Sequence, residues 1–265
     1  MLIKVAHRTE YSFEGPVQYA LQRVRLQPGN SPLQTVLSWD MRIEGGGLEV
    51  EYDDHHGNHV GLICSDENVQ VLSVVVEGEV QTHDLSGVLG QVYGRAPLWY
   101  FKRPTPQTEA GPLITELART LDTRGSALDR LHALSRAILE RVPYALNVTH
   151  AETRAEEAVA QKSGVCQDHA NIFIAAARTL GYPVRYVSGY LFMDDRIDQE
   201  ASHAWAEAHV DDLGWVGFDV SNGISPDERY VRLAIGRDAH DAAPVSGLRM
   251  GSGGEGLVVS LQVQQ

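Results

Sequence analysis

The stretch from Gly164 to Tyr190, GVCQDHANIFIAAARTLGYPVRYVSGY, constrains the chain most, because it joins a lone thiol, a helix that starts on that thiol and a strand leaving the helix's far end. Ala170, Phe173, Ile174, Ala177 and Leu180 follow helical spacing. Gly181 and then Pro183 stop the helix, since Gly accepts a left-handed cap and Pro cannot continue the turn. Cys166 therefore falls at a helix N-terminus, where unpaired backbone N–H groups and the positive end of the helix dipole favour a thiolate.

The rest of the composition bounds what this stretch can serve. With 265 residues and 43% hydrophobic content, the chain suffices for one large domain or two modest ones around a packed core. A formal charge of −13 argues against nucleic acid or an anionic membrane as a partner held by a general field. Cys64 and Cys166 are the two cysteines, too few and too far apart in sequence for a disulfide framework, and no four-ligand spacing for structural zinc occurs. The N-terminal MLIKVAHRTEYSF lacks a long apolar run and a small-residue cleavage site, and no later segment reaches membrane-span length. A cytoplasmic location is the expectation, with no cofactor and no metal.

From Met1 to about Thr82 the pattern is β. LIKVAH, VQYALQRVRLQP, TVLSWDMRIEG, LEVEYDD, HVGLICS and VQVLSVVVEGEV are separated by turn formers at Gly15-Pro16, Pro28-Gly29-Asn30, Gly45-Gly46-Gly47 and Gly57-Asn58. This predicts a sandwich or a curled antiparallel sheet. Asp84 to Pro112, with four prolines, has the irregularity of a linker, although Leu98, Trp99, Tyr100 and Phe101 need something to pack against. Helical spacing follows over Leu113 to Leu121 and Ser126 to Val142, the second with Ser126 and Asp129 placed as a capping box. Thr153 and Glu156 give a second such signal, opening a short helix over Ala155 to Gln161. β texture returns in VRYVSGYLFM, HAWAEAHV, GWVGFDV and LVVSLQV, while SGLRMGSGGEG has the composition of a mobile loop.

A nucleophilic thiol generally needs a base, and imidazole suits that role because it titrates near neutrality. His203 opens SHAWAEAHVDDLGWVGFDVSNG, which reads as a hairpin turning at Asp211 to Gly214, with Asp219 on its second strand. Cross-strand neighbours share a face, so His203 and Asp219 meet only if the loop has an odd number of residues. A three-residue loop with Gly214 in the left-handed position would meet that condition.

GVCQDHANIFIAAARTLGYPVRYVSGY, SHAWAEAHV and GWVGFDV, in this order, resemble the transglutaminase-like superfamily; the likeness is strongest over Leu131 to Asn222. HRTEYSFEGPV, RVRLQP and DDHHGNHV resemble the β-rich region that precedes this core in many bacterial members. RDAHDAAPVSG departs from the more common arginine-aspartate-tyrosine form. The resemblance implies an α+β protein: residues 1–95 an N-terminal antiparallel β-sandwich-like region, and residues 96–265 a papain-like, transglutaminase-like core whose Cys-bearing helix packs on an antiparallel sheet. It implies Cys166 as nucleophile, His203 as general base and acid, and Asp219 as the carboxylate that orients the imidazole. The reaction expected is attack on an amide or peptide carbonyl of a peptide or protein substrate, giving a thioester resolved by water or a second amine. The Cys166 backbone N–H would supply one oxyanion donor, and Gln161 is the candidate for the other, by analogy with the glutamine upstream of the cysteine in papain-like enzymes.

Other residues have plainer explanations. Cys64, in HVGLICS, is expected in the core, and Asp168, in the first turn of its helix, complements the dipole or holds a neighbouring loop. Asp53 to His59, DDHHGNH, offers metal-binding side chains but has the composition of a turn. His209 is expected to face solvent near the hairpin end, while Trp205 shares the parity of His203 and either walls the site or simply packs. Hydrolysis is placed ahead of transamidation because water is always present and no amine-acceptor site or calcium loop stands out. A non-catalytic binding or assembly module of the same fold is the alternative from another class.

Overall fold

The computed structural model describes residues 1–15, 17–91, 95–121, 124–199, 201–251 and 254–265. Each of the six N-terminal runs is a strand: β1 (Leu2–Phe13), β2 (Val17–Gln27), β3 (Gln34–Glu44), β4 (Gly46–Asp53), β5 (His59–Ser65) and β6 (Val71–Thr82). Alternation decides their faces. In β1 the odd-numbered Ile3, Val5, Tyr11 and Phe13 are buried, whereas Lys4, Arg8 and Ser12 point outward. Pro16 of the expected Gly15-Pro16 turn lies outside the described residues.

The remaining elements are β7 (Val88–Gly90), a 3-10 turn over Leu98–Lys102, α1 (Pro112–Arg119), α2 (Ala127–Arg141), α3 (Ala155–Gln161), α4 (Cys166–Thr179), β8 (Val184–Leu191), β9 (Asp198–Gln199), β10 (His203–Val210), β11 (Gly214–Phe218), β12 (Tyr230–Gly236), β13 (Val245–Gly251) and β14 (Glu255–Gln264). They form three sheets with the orders β3-β6-β1-β14-β9, β13-β2-β5-β4 and β12-β8-β10-β11-β7. The first two share one core, with Ile3, Val74 and Leu261 from one side meeting Ala20, Val24 and Ile63 from the other.

Residues 245–264, expected with the core, instead complete the N-terminal sheets. β14 pairs with β1 from Lys4↔Gln264 to Phe13↔Glu255, and β13 pairs with β2. SGLRMGSGGEG is thus largely strand, with 252–253 outside the described residues. Without β14, β1 would present one free edge of unpaired backbone groups, which the returning chain covers.

The stretch from Asp84 to Pro112 is more than a linker. β7 joins the core sheet beside β11, and Phe101 is buried with Leu89 and Trp215 on the back of that sheet. The carbonyl of Phe101 also accepts a hydrogen bond from Arg178 of α4 at 2.8 Å.

Local signals fix most helix ends. Ser126 and Asp129 form the expected capping box, with the Asp129 N–H donating to Ser126 Oγ at 3.1 Å. Thr153 and Glu156 do not form one, because Arg154 caps α3 and its N–H donates to Glu157 at 2.9 Å. Glu156 instead caps α1, accepting from the N–H groups of Gly111, Leu113 and Ile114 at 3.1, 2.7 and 3.1 Å. α4 is buried on nearly all sides, between α1, α2 and α3 and the even-numbered face of β10, where Ala204, Ala206 and Ala208 leave room for close approach.

The two parts of the chain are tied by polar side chains. Asn58 exchanges two hydrogen bonds with the backbone of Ile235 at 2.8 and 2.9 Å, and Gln34 does the same with Arg232 at 2.8 and 2.7 Å. DDHHGNH is the turn that makes this joint: Asp54 accepts from the N–H groups of His56 and Asn58 and from the buried Arg25. No helix among the described residues is long and apolar enough to cross a membrane.

Candidate active site

Cys166 is the first residue of α4, a free and partly exposed thiol. The helix start is held by Asp168, whose carboxylate accepts from the Val165 N–H at 2.8 Å and from the Thr149 hydroxyl at 2.6 Å. Asp168 therefore fixes the backbone that carries the Cys166 thiol.

The hairpin brings the other two residues together through its loop. β10 and β11 pair in a register running from Ala206↔Phe218 to Val210↔Gly214, so three residues, Asp211, Asp212 and Leu213, make the turn. Gly214 has φ +80°, and a Cβ there would lie 2.2 Å from the carbonyl of Gly90, so this position needs glycine for its angle and for its closeness to β7. The odd loop places His203, Trp205 and Asp219 on one face.

On that face His203 Nε2 lies 2.6 Å from Asp219 Oδ2, and the Cys166 thiol is near enough to the same imidazole to act on its pKa. With Nε2 committed to the carboxylate, Nδ1 is the nitrogen left for the thiol. Burial by itself would lower the His203 pKa. The hydrogen bond to Asp219 and its charge, together with the neighbouring Cys166, outweigh it and raise the value from 6.5 to about 10. Asp219 shows the converse: burial would raise its pKa, yet His203, Tyr230 and Asn222 together hold it below the usual carboxylate range.

Asp219 is itself positioned by residues that sequence reasoning missed. Oδ2 accepts from the Tyr230 hydroxyl at 2.7 Å and the Asn222 amide at 2.7 Å, and Oδ1 accepts from the Asn222 N–H at 3.2 Å. Asn222, three residues beyond Asp219 in Asp-Val-Ser-Asn, is legible in retrospect as a turn closed by the aspartate. Tyr230 arrives from β12 and has no local signal. Burial first, and then the Asp219 charge, raise its phenol pKa, so it remains a neutral donor. Trp205 stacks near His203 with centroids 6.3 Å apart and meets Tyr230 edge-on at 5.4 Å, so it does wall the imidazole.

Tyr144 is a further residue near Cys166. It bridges in parallel to Gly164, is about half exposed, and has its phenol pKa raised by partial burial and then by the charge of Cys166. The Gln161 amide nitrogen donates one of its two hydrogens to the Val148 carbonyl at 2.6 Å. Cys64 is partly exposed on β5 rather than in the core, with its thiol over the Ser65 carbonyl. His209 does not simply face solvent, since its ring meets Trp215 edge-on at 5.5 Å. No group of three or more His, Cys, Asp or Glu side chains among the described residues is arranged to hold a metal ion.

A cysteine at a helix start against an antiparallel sheet bearing a His–Asp pair defines an α+β protein with a core of the papain-like type. Residues 115–220 match the transglutaminase-like superfamily and residues 3–81 match the bacterial transglutaminase-like N-terminal region. The chain belongs to the transglutaminase-like superfamily, in the bacterial form in which this N-terminal region precedes the core. An uncharacterized protein of Mycobacterium leprae is 26% identical over 274 aligned positions covering 98% of both chains. An uncharacterized protein of Mycobacterium bovis is 28% identical, with 92% of this chain and 86% of the relative aligned. Among solved structures, a protein of Cytophaga hutchinsonii described as a candidate cysteine protease superposes on 100% of this chain and 90% of its own, with a TM-score of 0.80 and 22% identity. At that identity the likeness establishes the fold.

Proposed function

We propose that the protein is a cysteine-dependent acyl-transfer enzyme acting on amide or peptide bonds of a peptide or protein substrate, with hydrolysis as its ordinary outcome. The observation that carries this is the buried His203–Asp219 pair, closed at 2.6 Å, beside the partly exposed Cys166 thiol at the start of α4.

In the first half-reaction the Cys166 sulfur attacks the carbonyl carbon, while the Cys166 backbone N–H, unpaired at the start of α4, donates to the developing oxyanion. His203, having taken the thiol proton, delivers it to the departing amine as the C–N bond breaks, which leaves a thioester. In the second half-reaction His203 takes a proton from water, the hydroxide adds to the thioester carbon, and the collapse releases a carboxylic acid and restores the thiol. Asp219 keeps the imidazole oriented and balances its charge in each imidazolium stage. A primary amine in place of water would give transamidation by the same steps.

The test is partitioning. A panel of peptides bearing glutamine or C-terminal fluorogenic amides is incubated with the enzyme in the presence and absence of a primary amine, and products are weighed. Carboxylic acid as the main product supports the hydrolase; amide to the added amine as the main product replaces it with a transamidase. No product with any peptide, together with a Cys166 thiol that alkylates no faster than that of a His203→Ala variant, would leave the non-catalytic module.

A further inference from the structure

The odd-numbered face of β10 carries a second polar cluster, separate from the triad. Glu207, four residues along the strand from His203, is buried between Arg185 of β8 (Nε to Oε2, 2.6 Å) and Arg232 of β12 (Nε to Oε1, 2.9 Å). Two guanidinium groups against one carboxylate leave an excess positive charge under the sheet. Arg232 reaches solvent with 20% of its side chain, but Arg185 exposes only 4%. The Arg185 guanidinium lies 3.9 Å from the centre of the Trp215 ring, and its Nη2 is buried without a hydrogen-bond partner. A charged donor in that condition is costly, and native structures rarely leave one without a reason.

The reason on offer is a cavity of about 240 Å³ that Arg185 borders. It lies where three parts of the chain meet: His56 from the N-terminal turn, Leu98 and Phe101 from the segment before α1, and Trp215 and Ile235 from the back of the core sheet. His56 brings a second unsatisfied atom. Its Nε2 is 2.9 Å from Asp241 Oδ2, whereas Nδ1 is buried and has no partner. Leu98, at the rim, is 40% exposed, so the cavity communicates with solvent.

We propose that this cavity is a binding site for a small organic carboxylate with an apolar body, its carboxylate on the Arg185 guanidinium and its body against Trp215 and Phe101. A guanidinium fork matches a carboxylate, and the excess positive charge favours an anion over a neutral amide. The aromatic and aliphatic walls favour a ligand with a hydrophobic body over a fully hydrated inorganic anion. The volume sits below the usual range for drug-sized ligands, which limits the occupant to a ring or short chain. His56 Nδ1 marks a second polar point, suited to a hydroxyl on that body. The site stands apart from the acyl-transfer proposal, because none of its residues belongs to the triad or touches it.

The test is calorimetric titration of the whole chain with 3-phenylpropionate and with the neutral 3-phenylpropionamide, alongside Trp fluorescence to report on Trp215. The acid is expected to bind at least about ten-fold more tightly than the amide. Ala96 also lines the cavity, and Ala96→Phe, which fills it from that wall, is expected to weaken acid binding by about ten-fold or more with an unchanged thermal midpoint. Arg185→Met should erase the preference for the acid; if that variant does not fold, Ala96→Phe alone decides. Cys166→Ala should bind the acid as the native chain does. Equal affinity for acid and amide, binding indifferent to Ala96→Phe, or no binding of either compound up to about 10 mM would overturn the proposal.

Discussion

Replacing Asp219 with Asn tests the electrostatics of the His203–Asp219 pair. The carboxamide oxygen can occupy the Oδ2 position and still accept from His203, Asn222 and Tyr230, so the size of the side chain is kept while the charge and the Oδ1 acceptor of the Asn222 N–H are lost. In the native chain the His203 pKa rises from 6.5 to about 10 despite its burial. At about 1.4 kcal/mol per unit, that rise corresponds to at most about 5 kcal/mol of stability. The sign follows from proton counting. The raised pKa means that the folded state keeps a proton which the unfolded state releases above pH 6.5. The contribution is thus complete below 6.5 and is lost as pH rises toward about 10. The lowered pKa of Asp219 acts at the other end, with its stabilisation lost as pH falls below the ordinary carboxylate value of 3.8. Denaturant unfolding of both proteins across this range should therefore show the native chain ahead by several kcal/mol on a plateau between about pH 4 and 6.5, with the gap closing by about 1.4 kcal/mol per pH unit above it. Parallel stability profiles for the two proteins would refute this reasoning. The same substitution should lower kcat/KM by about 10³ to 10⁴, since the imidazole loses its counter-charge and the carboxylate that selects its tautomer.

Three other substitutions probe the supports of the site. Tyr230→Phe removes one donor to Asp219 Oδ2 and should cost about 1.5–3 kcal/mol in unfolding free energy, with kcat/KM reduced about ten-fold. Gly214→Val forces a β-branched side chain into φ +80° and against Gly90, so thermal unfolding should show a loss of at least about 2 kcal/mol, and activity should fall as the hairpin register shifts. Arg178→Met strips hydrogen bonds from the carbonyls of Phe101, Val184 and Arg237 and from Thr108, and denaturant unfolding should record a loss of about 3–5 kcal/mol.

What the sequence revealed and what it hid follow from the range of the forces involved. The helix beginning at Cys166 and the capping box at Ser126 are written in neighbouring residues, as is the parity of a hairpin closed by Gly214. The first of these features places the Cys166 thiol at the start of α4, and the parity brings His203 and Asp219 to one face. Tyr230 and the buried Arg185–Glu207–Arg232 cluster depend on strands adjacent in the sheet but distant in sequence, where local pattern is silent. The return of β13 and β14 to the N-terminal sheets is hidden for the same reason, since their alternation fits any antiparallel partner. Glu156 shows a local signal overridden by a tertiary one: it is spaced to cap α3 from Thr153, yet the N-terminus of α1 offers it three unpaired N–H groups. Gln161, chosen by analogy with the papain-like order, donates one of its two amide hydrogens to the Val148 carbonyl, a contact no local pattern shows.

The central claim is that Cys166 forms a thioester with its substrate. Intact-protein and peptide mass spectrometry after rapid acid quench, with an activated ester of an N-acylated amino acid as substrate, measures this directly. The expected result is one acyl group on the peptide containing Cys166, lost on further incubation at neutral pH and absent from Cys166→Ala. An acyl group found elsewhere on the chain, or substrate turned over equally by Cys166→Ala, would contradict the account.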